Sequence, residues 1–358
     1  MSFSVGERVK LTLFGQSHAP FVGGVLDGLP ADEPVDLQLA QAFLNRRSPG
    51  KTPLSTARSE PDVPQILAGL LDGKTCGAPL AFAIPNADTR SGDYDKFRAQ
   101  PRPSHADFPA LLKYGDAHDI RGGGFFSARL TAPLCFAGAI ALQILARRGV
   151  IIAAHIARIA GINDTPFDAV NLTEQTLKAP SRREFPVNDP AKGTAMQEAI
   201  LAAKADGDSV GGVIECAASG LSAGLGEPLF DSLEGTIARL VFAIPAVKGI
   251  EFGAGFAISD MRGSKANDPY IAPEGNALRS SRNNNGGILG GLSTGMPLVF
   301  RAAFKPTPSI AKAQETWNTV SAQTEALVIP GRHDPCVVPR AVPCVEAAAA
   351  LALLMVCA

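Results

Sequence analysis

Histidine residues that could do chemistry recur in short polar loops. His18, His105 and His333 each have Ser, Asp or Arg as near neighbours. A histidine near its unperturbed pKa of about 6.5 can give or take a proton at neutral pH. Three such loops in one chain indicate a site assembled from several loops on a rigid scaffold. By contrast, His155 lies in an apolar segment and is expected to be structural, and His118 fits a local hydrogen-bonded pair as well as a site.

The positively charged residues show a similar distribution. We expect eight of them to lie in loops bounded by Gly or Pro, away from acidic partners: Arg46, Arg47, Arg102, Arg121, Arg129, Lys305, Arg332 and Arg340. A guanidinium group binds a carboxylate or a phosphate through two parallel hydrogen bonds. Because the net charge is only -1, a general nucleic-acid surface is excluded. Unless these cations are simply scattered and solvated, they favour a small polyanionic ligand.

The densest loop is 121–129, which reads Arg-Gly-Gly-Gly-Phe-Phe-Ser-Ala-Arg. Three glycines permit positive φ and let a bare backbone approach another group closely. The apolar run 134–146 behind it is expected to form a buried helix, and a glycine loop before a helix start suits an anion. The alternative is a surface turn with two solvated arginines. Neither this loop nor 283–291 has the G-x-G-x-x-G order of a dinucleotide fold.

The elements that must position these loops follow from hydrophobic spacing and caps. The pattern predicts strands at 8–15, 23–27, 150–159, 210–217 and 247–252, and helices at 36–45, 134–146, 194–205, 230–244 and 345–358. Residues 160–190 are predicted to be loop-like. Because helices and strands mix without regular βαβ alternation, we expect one large α+β domain over residues 1–358.

Composition narrows the class of protein further. Six cysteines occur without a C-x-x-C pair, which fits a reducing cytosol and no metal site. The first residues lack a basic segment followed by an apolar core, so we expect no secretory signal and a cytoplasmic protein. The apolar runs 133–146 and 345–358 fall short of the roughly 20 residues that span a bilayer. The second run should bury its surface in the core or in a subunit interface.

Seven motifs together closely resemble the chorismate synthase family, over essentially the whole chain. They are GQSH at 15–18, NRRSPG at 45–50, RPSHAD at 102–107, RGGGFFSAR at 121–129, NNNGGILGG at 283–291, KPTPSI at 305–310 and GRHDPCVVPRAVP at 331–343. The resemblance implies a sandwich of helices packed with antiparallel sheets. It also implies a carbon–oxygen lyase that converts 5-enolpyruvylshikimate 3-phosphate to chorismate by 1,4-anti elimination of phosphate, with reduced FMN. This is the last step of the shikimate pathway to aromatic amino acids.

Site residues carry over from the resemblance by motif. His18 resembles the acid that assists the departing phosphate, His105 the histidine that stabilises the reduced flavin, and Asp334 the carboxylate beside flavin N5. The substrate contacts implied are Arg47, Arg102, Arg129 and Arg332. The flavin contacts implied are Phe125, Phe126, Ser127, Ala246, Gly290, Lys305, Pro306, Thr307, Pro308, Ser309 and Arg332. The family also implies a homotetramer.

Several positions depart from the family pattern. Phe125-Phe126 replaces a common Arg-Ser, and Pro53 stands where many members carry a second arginine. Asn45, Ala19 and Asn285 replace residues that are commonly Asp, Gly and Ala. NADPH could act as reductant near Arg47, but these changes favour reduction by an outside source such as a flavin reductase.

Two rival functions stay open from the sequence. The dipeptides His118-Asp119 and His333-Asp334 fit a metal-dependent phosphohydrolase, although both lie in loops bounded by Gly or Pro. The Phe125-Phe126 change fits a catalytically silent protein that binds flavin or another anion. Loss of activity in EDTA would support the first, and tight flavin binding without turnover would support the second.

Overall fold

A computed structural model describes residues 3–50, 54–55, 60–87, 94–274, 277–329 and 333–357. Its strands are, in chain order, β1 Ser4–Val5, β2 Lys10–Gly15, β3 Phe21–Asp27, β4 Gln65–Ala68, β5 Leu70–Leu71, β6 Lys74–Thr75, β7 Leu80–Pro85, β8 Ile151–Ile159, β9 Ile162–Asn163, β10 Gly212–Ser219, β11 Val247–Phe252, β12 Tyr270–Glu274, β13 Ala277–Ser280, β14 Ile288–Leu289, β15 Leu292–Ser293, β16 Leu298–Phe304, β17 Gln314–Asn318 and β18 Gln323–Leu327. Its α-helices are α1 Leu37–Arg47, α2 Asp107–Tyr114, α3 Thr131–Arg147, α4 Glu174–Lys178, α5 Pro190–Ala205, α6 Leu233–Val241, α7 Gly263–Ala266 and α8 Val338–Cys357.

Two five-stranded antiparallel sheets enclose a layer of helices. The first sheet has the order β1-β2-β3-β7-β4, and the second β11-β16-β10-β8-β9. Helix α3 packs against β3 of the first sheet, and α8 packs against β8 and β10 of the second. This α+β sandwich confirms the predicted fold class.

The central layer is held by an apolar helix pair. Nearly all of α8 is buried, so the segment predicted from 345 onward packs in the core of this chain. Helices α3 and α8 meet closely at Gly138, where an added Cβ would lie 2.3 Å from the Cβ of Ala347. Segments Arg121–Arg147 and Val338–Cys357 have the length and composition of membrane spans, yet 67% and 78% of their most apolar windows are buried inside the protein.

Several predicted boundaries needed correction. Helix α3 begins at Thr131 rather than 134, and α5 begins at Pro190 rather than 194, because Asp189 caps α5 by accepting from the Ala191 amide. Helix α8 begins at Val338 rather than 345. Pro339 and Pro343 lie within its first turns, so neither proline marks the start of the helix. Helix α6 spans Leu233–Val241 rather than 230–244, since Ser232 caps it by accepting from the Gly235 amide. The segment 160–190 is not wholly loop, because a Thr173 capping box starts the short helix α4. The Asp36 cap predicted for α1 is present.

Candidate active site

One cavity of about 1070 Å³ gathers most of the predicted site residues. His18, His105 and Asp334 all line it. So do the following predicted ligand-binding residues: Arg47, Arg102, Arg129, Phe125, Phe126, Ser127, Ala246, Lys305, Thr307, Pro308 and Ser309. Its wall includes the 121–129 loop, the C-terminal end of α6 and the start of α8. The loops therefore converge as predicted.

The three glycines of the 121–129 loop make room for two histidines. Gly122, Gly123 and Gly124 have φ of 58°, 84° and 56°, a region that favours glycine. A Cβ on Gly122 would lie 2.6 Å from Cε1 of His18, and one on Gly123 would lie 3.3 Å from Cε1 of His105. The bare backbone thus approaches side chains of this chain. The expected glycine loop at a helix start is wrong, because residues 125–130 separate Gly124 from α3.

His105 belongs to a buried hydrogen-bonded triad. Its Nδ1 lies 2.7 Å from Oδ1 of Asp107, and Arg102 donates to both Asp107 oxygens from Nε at 2.7 Å and Nη2 at 2.8 Å. Burial acts to raise the pKa of Asp107, but the hydrogen bonds from Arg102 and His105 outweigh it and hold that pKa well below its usual range. Nδ1 of His105 also lies 3.2 Å from Nη2 of Arg102, and Nε2 is turned toward Gly123.

Asp334 and Lys305 approach the cavity from neighbouring loops. Arg340 in the first turn of α8 donates to the Asp334 carboxylate, and the Thr307 hydroxyl donates to its backbone carbonyl at 2.8 Å. Lys305 follows β16, and its amide donates to the carbonyl of Ala246 at 2.9 Å, just before the paired strand β11. Burial, with Lys248 nearby, lowers the pKa of Lys305. These contacts give the predicted 305–309 loop a fixed place beside Asp334.

Arg47 and Arg129 share one buried carboxylate. Asp62 is 1% exposed and accepts from Nη1 of Arg129, while its Oδ2 lies 3.2 Å from Nη2 of Arg47. Burial acts to raise the pKa of Asp62, but the charges of Arg47 and Arg129 outweigh it and lower that pKa. Glu60 lies 3.9 Å from Nη2 of Arg129.

The expectation of cations in loops without acidic partners is therefore wrong. Arg46 and Arg47 lie in the last turn of α1, and Arg340 lies in α8. The carboxylate pairs are Arg46–Glu346, Arg47–Asp62, Arg102–Asp107, Arg121–Asp119, Arg129–Asp62 and Arg340–Asp334. The physical reason is that a guanidinium placed in a low-dielectric interior needs a counter-charge.

An aromatic cluster forms one wall of the cavity. The rings of Phe125 and Phe126 lie 4.6 Å apart, and Phe3 and Tyr114 meet Phe125 edge-on at 5.7 and 5.3 Å. His118, which is buried, meets both phenylalanines edge-on at 5.6 and 5.7 Å, and burial lowers its pKa. The Phe125-Phe126 departure therefore makes this wall apolar.

Some predicted residues lie elsewhere. Gly290 lies in the turn between β14 and β15, and neither it nor Pro306 is among the described residues that line the cavity. Arg121 pairs with Asp119 outside the cavity. Arg332 and Pro53 lie outside the described residues. His155 is fully buried between Asp164 and Glu215, at 2.9 Å from each, away from the cavity lining.

Two residues that line the cavity, and a third that pairs with its arginines, were not predicted. Tyr94 meets His18 edge-on at 5.4 Å, Arg239 reaches the cavity from α6, and Asp62 joins the two arginines. Asp62 carries no sequence signal, because a lone Asp after proline reads as a turn residue. For Arg239, the one usable signal was its place near the end of a predicted helix.

Comparison with known proteins shows the family of the chain. Residues 9–357 match the family model described as Chorismate synthase. Among curated relatives, the Chorismate synthase of Lancefieldella parvula is 45% identical and aligns with 99% of this chain and 96% of its own length. That of Korarchaeum cryptofilum is 44% identical over 95% and 93%. A crystal structure of chorismate synthase superposes with a TM-score of 0.77 at 26% identity, covering 98% of this chain and 92% of the other. The chain belongs to the chorismate synthase family.

Proposed function

We propose that the cavity binds 5-enolpyruvylshikimate 3-phosphate and removes its phosphate and a ring proton by 1,4-anti elimination, giving chorismate. The chain is a carbon–oxygen lyase acting on a phosphate, as its family membership shows. The observation that carries the proposal is the meeting of His18, His105 and Asp334 in one cavity with Arg47 and Arg129. A polyanionic substrate needs such a pocket, because its charged groups can leave water only if groups of opposite charge bind them.

The cationic residues would bind the substrate, and His18 would serve its leaving group. Arg47, Arg102 and Arg129 lie in the cavity wall, where guanidinium groups can meet carboxylates and phosphate. We propose the same role for Arg332. His18, held between Gly122 and Tyr94, would donate a proton to the departing phosphate. General-acid help of this kind contributes roughly 10²–10⁴-fold to a rate.

The described residues fit a reduced flavin beside the substrate. The volume of about 1070 Å³ lies at the upper end of small-molecule pockets, which fits two ligands. The apolar wall at Phe125 and Phe126 suits a planar ring, and Lys305, with the hydroxyl of Ser309, suits a phosphate. We include Ser127, Ala246, Gly290, Pro306, Thr307, Pro308 and Arg332 in the proposed flavin site. When bound, reduced FMN would supply an electron donor for cleavage of the carbon–oxygen bond.

His105 and Asp334 would manage charge and protons in this cavity. With Nδ1 bonded to Asp107, His105 keeps Nε2 for a hydrogen bond, and its imidazolium form would stabilise a negative charge. Asp334, held by Arg340, would take up and release the ring proton of the substrate. Placing these groups in advance of the reaction is the largest expected contribution to catalysis.

The wider setting is also part of the proposal. The protein would act in the cytoplasm as a homotetramer, without nucleic acid or membrane, and its 358 residues would form one domain. A hydrophobic core that spans Val9 to Leu354 supports the single domain.

Exposed side chains such as Phe230 and Phe256, which are 94% and 84% exposed, suit subunit contacts. An outside source such as a flavin reductase would supply electrons, with NADPH near Arg47 as the alternative. A monomer by light scattering at micromolar concentration would contradict the tetramer.

An anaerobic assay tests the proposal directly. The purified protein with reduced FMN and 5-enolpyruvylshikimate 3-phosphate should release phosphate and form chorismate, whereas oxidised FMN alone should give no product. Tight flavin binding without chorismate would instead indicate a silent homologue. Loss of activity in EDTA would instead support a metal-dependent phosphohydrolase. The described residues contain no group of three or more His, Cys, Asp or Glu that could hold a metal.

A further inference from the structure

The carboxylate shared by two arginines of the cavity is the strongest feature that the proposed mechanism does not use. Asp62 accepts from Arg129 on Oδ1, whereas its Oδ2 faces Arg47 at 3.2 Å and accepts from the Ser48 hydroxyl at 3.2 Å. Both carboxylate oxygens are thus engaged. Two guanidinium groups in one buried wall repel each other, and a carboxylate between them offsets that repulsion.

The other contacts of the two arginines do not join them. Arg129 donates from Nε to Oδ1 of Asn86 at 2.6 Å and from Nη2 to the Pro85 carbonyl at 3.0 Å. Arg47 donates from Nη1 to the Thr131 hydroxyl at 3.3 Å. Among the contacts described above, the one common to both arginines is Asp62. The relative placement of the two guanidinium groups therefore depends on it.

The backbone at Asp62 is itself unusual. Its φ is 49°, in the left-handed region that non-glycine residues rarely adopt. Such strained residues persist where surrounding contacts over-determine them, and they cluster at ligand sites. Here the carboxylate is fixed by donors from two segments: Arg47 and Ser48 at the end of α1, and Arg129. The backbone conformation and the side-chain contacts are independent observations of one tightly held group.

We propose that Asp62 is a positioning residue that fixes the spacing and orientation of Arg47 and Arg129 for the anionic groups of the substrate. This inference rests on the proposed function of the same cavity. Asp62 itself does not touch the substrate. The carboxylates of Asp62 and Glu60 lie beside the two guanidinium groups, so binding depends on the geometry of the pair more than on accumulated charge.

The test compares Asp62→Asn with the wild type by two measurements. Calorimetry gives the Kd of 5-enolpyruvylshikimate 3-phosphate for the flavin-free protein, and the anaerobic assay gives KM and kcat. We expect Kd and KM to rise about tenfold or more, because charge-assisted contacts lose their alignment. We expect kcat to fall less than about threefold, since the contact acts on binding. A merely structural role would leave the Kd and KM of the folded fraction unchanged.

A double-mutant cycle separates positioning from a general loss of charge. In an Arg47→Ala background, Asp62→Asn should weaken binding much less than in the wild type, because the partner has gone. Should Asp62→Asn fail to fold, Ser48→Ala removes the hydroxyl that donates to Asp62 and should raise Kd about threefold. Asp164→Asn is the matched control: it removes a buried carboxylate at His155, so the melting temperature should fall while Kd stays unchanged.

Three results would overturn the inference. They are a folded Asp62→Asn protein with wild-type Kd, tighter substrate binding in that variant, and additive effects in the cycle. Tighter binding would mean that Asp62 competes with the substrate for the arginines. A wild-type protein that neither binds the ester nor forms chorismate would instead refute the proposed function, so the two failures can be told apart.

Discussion

At the scale of single residues, the site depends as much on missing side chains as on present ones. We predict that Gly122→Ala abolishes most activity while the protein stays folded. The new Cβ would lie 2.2 Å from Oγ of Ser17 and 2.6 Å from Cε1 of His18, so His18 must move. A misplacement of about 1 Å can cost roughly 10²-fold in rate. The measurement is kcat with reduced FMN, together with circular dichroism.

Gly149→Ala is the matched control for this change. Its φ is 82° and an added Cβ would meet nothing within 4 Å, so it carries the backbone cost without the clash. It should lower stability by about 1 kcal/mol and leave kcat unchanged. Equal losses of kcat in both variants would show that strain, and not the position of His18, matters.

The proton-handling groups give a second prediction. His105→Ala and Asp334→Asn should each lower kcat far more than they weaken substrate binding, by roughly 10²–10⁴-fold against a change in Kd of about threefold or less. The reason is that both groups act on charge that develops during the reaction. Stopped-flow kinetics and calorimetry on each variant provide the two quantities. Equal losses in kcat and Kd would contradict the roles assigned to them.

Residue-level reasoning predicted the histidines better than the arginines. Loops rich in Gly and polar residues point to His18 and His105 without any coordinates. The counter-charge of Arg129 could not be predicted, because Asp62 is distant in sequence and its φ of 49° has no sequence signature. Local patterns reveal which side chains are available, whereas pairing across the cavity depends on tertiary packing.

At the scale of elements, α3 and α8 pack closely against each other, and the first turns of both helices line the cavity. We predict that Gly138→Ala destabilises the protein by about 1–3 kcal/mol, because the new Cβ would overlap Ala347 at 2.3 Å. In an open helix the same change would stabilise by about 1 kcal/mol. Urea unfolding measures the difference. Gly263→Ala in α7 meets nothing within 4 Å and is the control; a stable Gly138→Ala protein would contradict this packing.

Long elements were predictable, and their ends were not. Hydrophobic spacing predicted β2, β3, β8, β10 and β11, and β8 and β10 are buried over most of their length. The early start of α8 was missed, since prolines usually mark a helix boundary. The layering of two sheets on one helical layer came only with the family resemblance. The spacing of apolar residues in the sequence does not determine which faces of the helices and sheets pack against each other.

At the scale of the whole molecule, a buried triad ties the second sheet to the 160–190 connection. His155 is fully buried and bonds to Asp164 and Glu215, and Glu215 also accepts from the Phe167 amide. Burial acts to lower the pKa of His155, but the hydrogen bonds to Asp164 and Glu215 outweigh it, so this pKa is raised. The contribution to stability is therefore fully present below the unfolded pKa of about 6.5.

This triad predicts a pH-dependent stability. His155→Gln should lower the free energy of unfolding by about 3–5 kcal/mol near pH 6, because two buried carboxylates lose their charged partner. The difference from the wild type should shrink as the pH rises through the raised pKa of His155. Denaturant unfolding between about pH 6 and about pH 9 measures it. A stability difference between wild type and His155→Gln that grows with pH would contradict a charged His155. The KM of the variant should equal that of the wild type.

The loop that meets His18 through Gly122 and His105 through Gly123 has one more consequence. Consecutive Cα atoms are separated by about 3.8 Å across a trans peptide, a length that thermal motion barely alters. Two histidines from remote parts of the sequence therefore contact consecutive residues of one loop. Inserting or deleting one residue between Gly122 and Gly123 would change the distance between the two histidines. A displacement of the surrounding sheets would move both histidines together.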